Sequence, residues 1–236
     1  MAVMINIKEI TEFDETIFRD FYNEWMTTKD TRTIETPETL GILVLDNILL
    51  YNIDLDFPTN SINALDIGCA NGRILFNLMQ NNLISSGIGI DVSDAMIMLA
   101  NKGNEVFQMP IQFINSSLEN FNTDDKFNII VAQEVVEHFL SPEKAIEKIY
   151  NLLVPTGFFY GNVPLDHTCD ALPHLNYYNM ESLYNLLHTQ FNRINIILID
   201  VYEDVANPPL PYEYHLWFRC QKDRDDGKNI YAVTSL

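Results

Sequence analysis

From about residue 62 onward, short β-rich apolar runs alternate with segments whose apolar residues recur at helical spacing, which is the pattern of a parallel α/β sheet. The pattern predicts strands at 62–67, 87–91, 111–115, 127–132, 156–163, 193–201 and 213–220, with helices near 71–82, 93–101, 142–153 and 179–189. Ahead of the sheet, "FDETIFRDFYNEWM" (13–26) and "TPETLGILVLDNILLYN" (36–52) read as two further helices. The second has Thr36 as N-cap, Pro37 at the first helical position and Glu38 as an acid in the first turn. No repeat or low-complexity linker interrupts the chain. It is expected to be one domain, with an N-terminal helical cap over 1–58, a core over 59–222 and a tail over 223–236. The segment "YEDVANPPLP" has no room for a helix, so the last two strands should pair as an antiparallel hairpin at the sheet's edge.

Composition narrows the class. The 236 residues are 47% hydrophobic, ordinary for a globular core. Lys and Arg number 14 against 33 Asp and Glu, a formal net charge of −19, so the surface field repels polyanions and disfavours nucleic acid as a partner. The one basic cluster, "QKDRDDGK" (221–228), is cancelled by its own aspartates. Three widely spaced cysteines, Cys69, Cys169 and Cys220, form neither a disulfide framework nor a zinc pair. No basic N-terminal stretch leads into an apolar core and cleavage site, and no apolar run reaches a bilayer span. A cytoplasmic chain with no membrane partner is expected.

The stretch "ALDIGCANGRIL" (64–75) carries the first chemistry. A strand ending in Asp66 runs into a turn with Gly68 and Gly72, and an amphipathic helix follows. Open α/β sheets bind ligands at such crossings, where glycines permit close backbone approach and the helix N-terminus offers free N–H groups. The next strand ends in Asp91, 25 residues after Asp66, which suits a carboxylate accepting both hydroxyls of a ribose. A nucleotide-like ligand is implied. A dinucleotide site normally keeps Gly-x-Gly-x-x-Gly, whereas this loop reads Gly68-Cys69-Ala70-Asn71-Gly72.

An acid two residues before the first glycine resembles the opening motif of the class I S-adenosylmethionine-dependent methyltransferases, with Ala70 replacing their middle glycine. The resemblance runs on through "GIDVSDAM" (89–96), "FINSSLENF" (113–121), "KFNIIVAQEVVEHF" (126–139) and "LLVPTGFFYGNVP" (152–164). It implies a Rossmann-like seven-stranded, mostly parallel sheet with an antiparallel last strand and helices on both faces. It also implies S-adenosylmethionine as cofactor. Asp66 would lie near the methionine ammonium, Gly68, Cys69, Ala70 and Gly72 around the amino-acid part and ribose, and Asp91 with Val92 at the ribose hydroxyls. Ser117 and Leu118 would meet the adenine, and Gln133 would lie beside the cofactor at the end of the fourth strand.

The reaction so implied is in-line displacement at a sulfonium methyl, for which a protein aligns the nucleophile and excludes water. A hydroxyl acceptor must also lose its proton. In "EVVEH" (134–138), Glu134, Glu137 and His138 stand at i, i+3 and i+4, which predicts one face of a helical turn. His138 and Glu134 are the candidate catalytic residues. The run resembles both the ubiquinone-biosynthesis O-methyltransferases and the small-RNA 2′-O-methyltransferases, where Glu-x-x-Glu-His supports a divalent ion with a later histidine. The resemblance therefore implies a divalent ion at Glu134, Glu137, His138 and His174, although the same residues serve equally as a metal-free base.

For the acceptor, "FYNEWM" (21–26) offers Tyr22 and Trp25 as a lid, and "PLDHTCDALPHLNYYN" (164–179) offers His167, His174 and Tyr177 in a loop after the fifth strand. A small-molecule acceptor methylated on a hydroxyl is expected. The alternatives are metal-assisted 2′-O-methylation of RNA, a non-catalytic cofactor-binding module and a nicotinamide-dependent dehydrogenase.

Overall fold

The computed structural model describes Leu49, Asn52 and residues 62–165, 174–201 and 213–223. Seven strands form one sheet: β1 (Asn63–Ile67), β2 (Ser86–Asp91), β3 (Ile111–Asn115), β4 (Phe127–Gln133), β5 (Leu153–Pro164), β6 (Arg193–Val201) and β7 (Glu213–Gln221). The helices between them are α1 (Arg73–Gln80), α2 (Asp94–Phe107), α3 (Pro142–Leu152) and α4 (Met180–His188). Strand order is β3-β2-β1-β4-β5-β7-β6. The pairs among β1 to β5 are parallel, and β7 runs antiparallel to both β5 and β6. The hairpin expected from the prolines is present, with its second strand inserted against β5 and β6 left at the edge. The strand order reverses between β1 and β4, and a ligand crevice opens at that point beyond the carboxyl ends of the strands.

Central strands are apolar on both sides because helices cover both faces. On one face Leu65, Ile130, Phe159 and Phe218 pack with Ile146 and Ile149 of α3 and Leu183 and Leu187 of α4. On the other, Ala64, Ile129, Val131 and Tyr160 pack with Leu75 and Leu78 of α1, Ala100 of α2 and the buried helical residue Leu49. Each such fully buried Leu, Ile or Phe contributes about 1.5–3 kcal/mol.

Local signals set the helix starts. Ser93 caps α2 by accepting the Met96 N–H, and Asn179 and Ser182 form a reciprocal capping box at α4. The predicted helix 93–101 is longer than expected and runs through Gly103 to Phe107. Gly103 does not break the helix; it admits the ring of Phe76, whose atoms would lie 3.0 Å from a Cβ there. Phe107 also packs on Phe76, with ring centroids 5.2 Å apart. The predicted boundary near 153 shifts too, because β5 begins at Leu153, directly after α3.

The expected cap over 1–58 lies outside the described residues, save Leu49 and Asn52, and so do Tyr22, Trp25, His167 and Cys169. Cys69 and Cys220 are buried free thiols. Among the described residues no helix is long and apolar enough to cross a membrane.

Candidate cofactor and acceptor site

The turn after β1 is built from left-handed residues: Gly68 at φ 68°, Ala70 at φ 47° and Gly72 at φ 82°. Glycine takes such angles freely and alanine at a cost of roughly 1–2 kcal/mol, so the turn is held by bonds from outside it. Asp91, ending β2, supplies them. One carboxylate oxygen accepts the Ala70 N–H at 2.9 Å and the other the Ser93 N–H at 2.8 Å, while the Cys69 N–H donates to the Ile90 carbonyl at 3.0 Å. A Cβ on Gly68 would strike the Val135 side chain. That glycine therefore serves the packing of the turn against the residues after β4 as well as ligand clearance.

Asp66 is fully buried, and neither of its carboxylate oxygens has a hydrogen-bond partner. Burial, and next the charge of Asp91, holds its carboxyl well above the usual carboxylate range. A buried acid without partners is costly unless a cation or donor completes it. The ammonium of S-adenosylmethionine has that chemistry, and the fit to this cradle is good. Burial also raises Asp91, against the lowering effect of the Ser93 and Ala70 N–H groups. Cys69 points into the core, where burial pushes its thiol up, so only its backbone is available to a ligand. Val92 follows Asp91 and is half-buried. The Ser117 hydroxyl accepts the Asn120 N–H at 3.2 Å within a turn that also buries Leu118. Gln133 ends β4 with its buried amide nitrogen unpartnered.

The "EVVEH" run departs from the expected helical face. Only Val136–His138 form a single 3-10 turn, and Glu134 takes a left-handed φ of 55° before it. The Glu134 carboxylate meets His215 of β7, with Oε1 to Nδ1 at 2.9 Å, and does not join the ligand atoms gathered at Glu137 and His138. The four residues proposed to share one ion thus separate into three and one.

The three are Glu137, His138 and His174, whose ligand atoms all lie within 4.8 Å of one another. His138 Nε2 is 3.7 Å and His174 Nε2 4.0 Å from Glu137 Oε1. Glu137 is 1% exposed, and neither of its oxygens makes a hydrogen bond. Burial, then the Glu134 charge, raises its carboxyl well above the usual range. His174 stands at the cluster where the residues after it are bonded to the 3-10 turn. Leu175 and Asn176 donate backbone N–H groups to the Glu137 carbonyl, and the Asn176 amide donates to the Phe139 carbonyl at 2.7 Å. Tyr177 packs by His174, with ring centroids 6.4 Å apart.

Sequence reasoning missed Asn162, Asn176 and His215. Asn176 adjoins Tyr177, already singled out, and His215 shares its face of β7 with Glu213, Trp217, Arg219 and Gln221, so alternation does not mark it. Neither signal names a partner.

A parallel sheet reversing at β1 and β4, a left-handed turn clasped by an acid ending β2, and a bare buried acid beneath that turn define a class I S-adenosylmethionine-dependent methyltransferase fold. A methyltransferase-domain family model matches residues 58–190, and the chain belongs to that family. It is 28% identical over 160 residues to a carboxy-S-adenosyl-L-methionine synthase of Nautilia profundicola, covering 65% of this chain and 58% of that protein. It is 26% identical over 115 residues to a ubiquinone biosynthesis O-methyltransferase of Coxiella burnetii, covering 48% of each. The chain thus spans about half the length of these curated relatives. Among solved structures, the N-methyltransferase NodS of Bradyrhizobium japonicum with S-adenosyl-L-homocysteine superposes at a TM-score of 0.65. That likeness has 20% identity and covers 86% of this chain and 97% of the other.

Proposed function

We propose that the protein transfers the methyl group of S-adenosylmethionine to a hydroxyl of a small-molecule acceptor. The observation that carries this reading is the meeting of Glu137, His138 and His174 just past β4, on the carboxyl side of the sheet where the cofactor cradle opens. In the transfer, an acceptor oxygen lone pair bonds the methyl carbon, the carbon–sulfur bond pair stays on sulfur, and the hydroxyl proton passes to a protein base. A hydroxyl needs the carboxylate and imidazole groups gathered here; a thiolate or a free amine needs them less.

The cluster also suits a divalent cation. An orphaned buried carboxylate with two imidazoles within 4.0 Å is a mixed oxygen and nitrogen donor set, and Glu137, His138 and His174 would hold the ion. When bound, it would lower the pKa of a coordinated acceptor hydroxyl. The kinship with a ubiquinone biosynthesis O-methyltransferase supports a hydroxyl acceptor, and the net charge of −19 argues against RNA.

The test is transfer from methyl-labelled S-adenosylmethionine to matched phenol, catechol, sugar and amine panels. Label in hydroxyl products is expected. Label confined to amines, or no transfer to any hydroxyl, defeats the reading.

A further inference from the structure

Three side chains converge at the carboxyl edge of the sheet, beside the Glu137 cluster. Glu134 follows β4, Asn162 lies near the end of β5 and His215 near the start of β7. The Asn162 amide nitrogen donates to Glu134 Oε1 and lies 3.5 Å from His215 Nδ1, which itself is 2.9 Å from the same Oε1. The Glu134 N–H donates to the Asn162 carbonyl at 3.2 Å. Asn162 is wholly buried and His215 is 5% exposed, whereas 40% of the Glu134 side chain remains accessible.

This is an expensive way to hold a glutamate. Its backbone occupies a left-handed region costly for a side chain with a Cβ, and its side chain gives up rotamer freedom to keep one oxygen fixed. Strain of this kind persists where surrounding structure over-determines it, and it gathers at ligand sites. Both fixed contacts fall on Oε1, and no described residue hydrogen-bonds Oε2. The neighbouring polar groups are similarly unspent. Asn162 Oδ1, the Gln133 amide nitrogen and Trp217 Nε1 are buried without partners, and Gln133, Asn162 and Trp217 lie in register across β4, β5 and β7.

We propose that Glu134 is the carboxylate that meets the acceptor at the transferred methyl, presenting Oε2 to a proton-bearing acceptor atom, with His215 and Asn162 as its positioning residues. The inference rests on the methyl-transfer reading and deepens it. It assigns the acceptor a hydrogen-bond donor on the atom methylated, and it separates this carboxylate from the Glu137 cluster. Where the acceptor is a hydroxyl, its proton passes to Oε2 as the oxygen lone pair bonds the methyl and the carbon–sulfur pair returns to sulfur. His215 and Asn162 change neither bond; they hold Oε1 so that Oε2 faces the transfer.

Sinefungin tests this without a known acceptor, because it carries an amine-bearing carbon where the cofactor carries its S-methyl, and S-adenosylhomocysteine carries nothing there. Binding of both to the full chain is measured by calorimetry. Glu134→Gln is expected to weaken sinefungin about ten-fold and to leave S-adenosylhomocysteine within about two-fold. Asn162→Ala and His215→Ala change no carboxylate charge, so a selective sinefungin loss in them reports position and not net field. His215→Gln, which keeps an N–H donor, should recover most of the selectivity. Equal losses for both ligands, or no loss of sinefungin in any variant, would overturn the proposal while cofactor binding stands. If wild-type protein bound neither ligand, the methyl-transfer reading would fall with it.

Discussion

Asp91 at the end of β2 accepts the backbone N–H of Ala70 at 2.9 Å, so the acid expected to hold the ribose also fastens the turn opposite it. Its other oxygen caps the chain at Ser93. A carboxylate has about four lone-pair sites, so these two bonds leave capacity for ribose hydroxyls. Binding site and turn share one side chain.

Asp91→Ala is therefore expected to weaken S-adenosylhomocysteine by about 1.5–3 kcal/mol, and also to lower the Tm of the cofactor-free protein by loosening the turn. Calorimetry and thermal unfolding read the two effects separately. Unchanged affinity would remove Asp91 from the cofactor site, and an unchanged Tm would deny it the clasp.

Gly68→Val should fail before any ligand is added, because its Cβ meets Val135 and its backbone is left-handed. A loss on the order of 2–4 kcal/mol is expected from overpacking plus strain. Adding Val135→Ala should return part of the Tm but not all, since strain remains. If Gly68→Val melted like wild type without ligand, the glycine would serve cofactor clearance alone.

Asp66 supplies a pH dependence. Burial and the Asp91 charge raise its carboxyl in the folded state, whereas the unfolded chain releases that proton near about pH 3.9. Between the two values the folded protein binds more protons, so cofactor-free stability falls as pH rises until Asp66 ionises in the fold. Asp91 is shifted the same way and adds to the slope. Cofactor-free Asp66→Asn should flatten that decline and melt roughly 2–4 °C above wild type near neutral pH. Its affinity for S-adenosylhomocysteine should drop about ten-fold. The measurement is Tm from about pH 5 to 8 with and without ligand, and an identical slope in the variant would count against the buried, unpartnered acid.

Manganese titrated into the full chain examines the Glu137 cluster without an acceptor. Glu137→Gln, His138→Ala and His174→Ala are each expected to weaken binding at least about ten-fold, whereas Glu134→Gln should not. Asn176→Ala, which unpins His174, should weaken it by less. In turnover assays EDTA should then stop transfer and a divalent ion restore it. Absence of manganese binding, with chelator-resistant turnover that still needs His138, would remove the ion from the cluster and leave His138 as a metal-free contact of the acceptor.

The sequence by itself determined the alternation of strands and helices, the hairpin that ends the sheet, and the turn from Asp66 to Gly72. These are local. An apolar period, a proline-ended loop or an acid before glycines is readable because the physical cause lies within a few residues of the effect. Asp91 was legible for the same reason, at the end of an identifiable strand. Its grip on Ala70 was not, because an alanine in a left-handed turn leaves no mark in composition. The end of the helix predicted near 101 was not legible either, because it runs on through Gly103, where the ring of Phe76 packs, to Phe107. The separation of "EVVEH" was decided by tertiary structure alone. Periodicity predicts a shared helical face, but β5 and β7 bring Asn162 and His215 to Glu134 from 28 and 81 residues away, and Glu134 lies outside the 3-10 turn with a left-handed backbone. His174 joins Glu137 and His138 where Leu175 and Asn176 reach back to the Glu137 carbonyl and, across 37 residues, to the Phe139 carbonyl. Contacts of that span are set by sheet order and register, which no short stretch of sequence encodes.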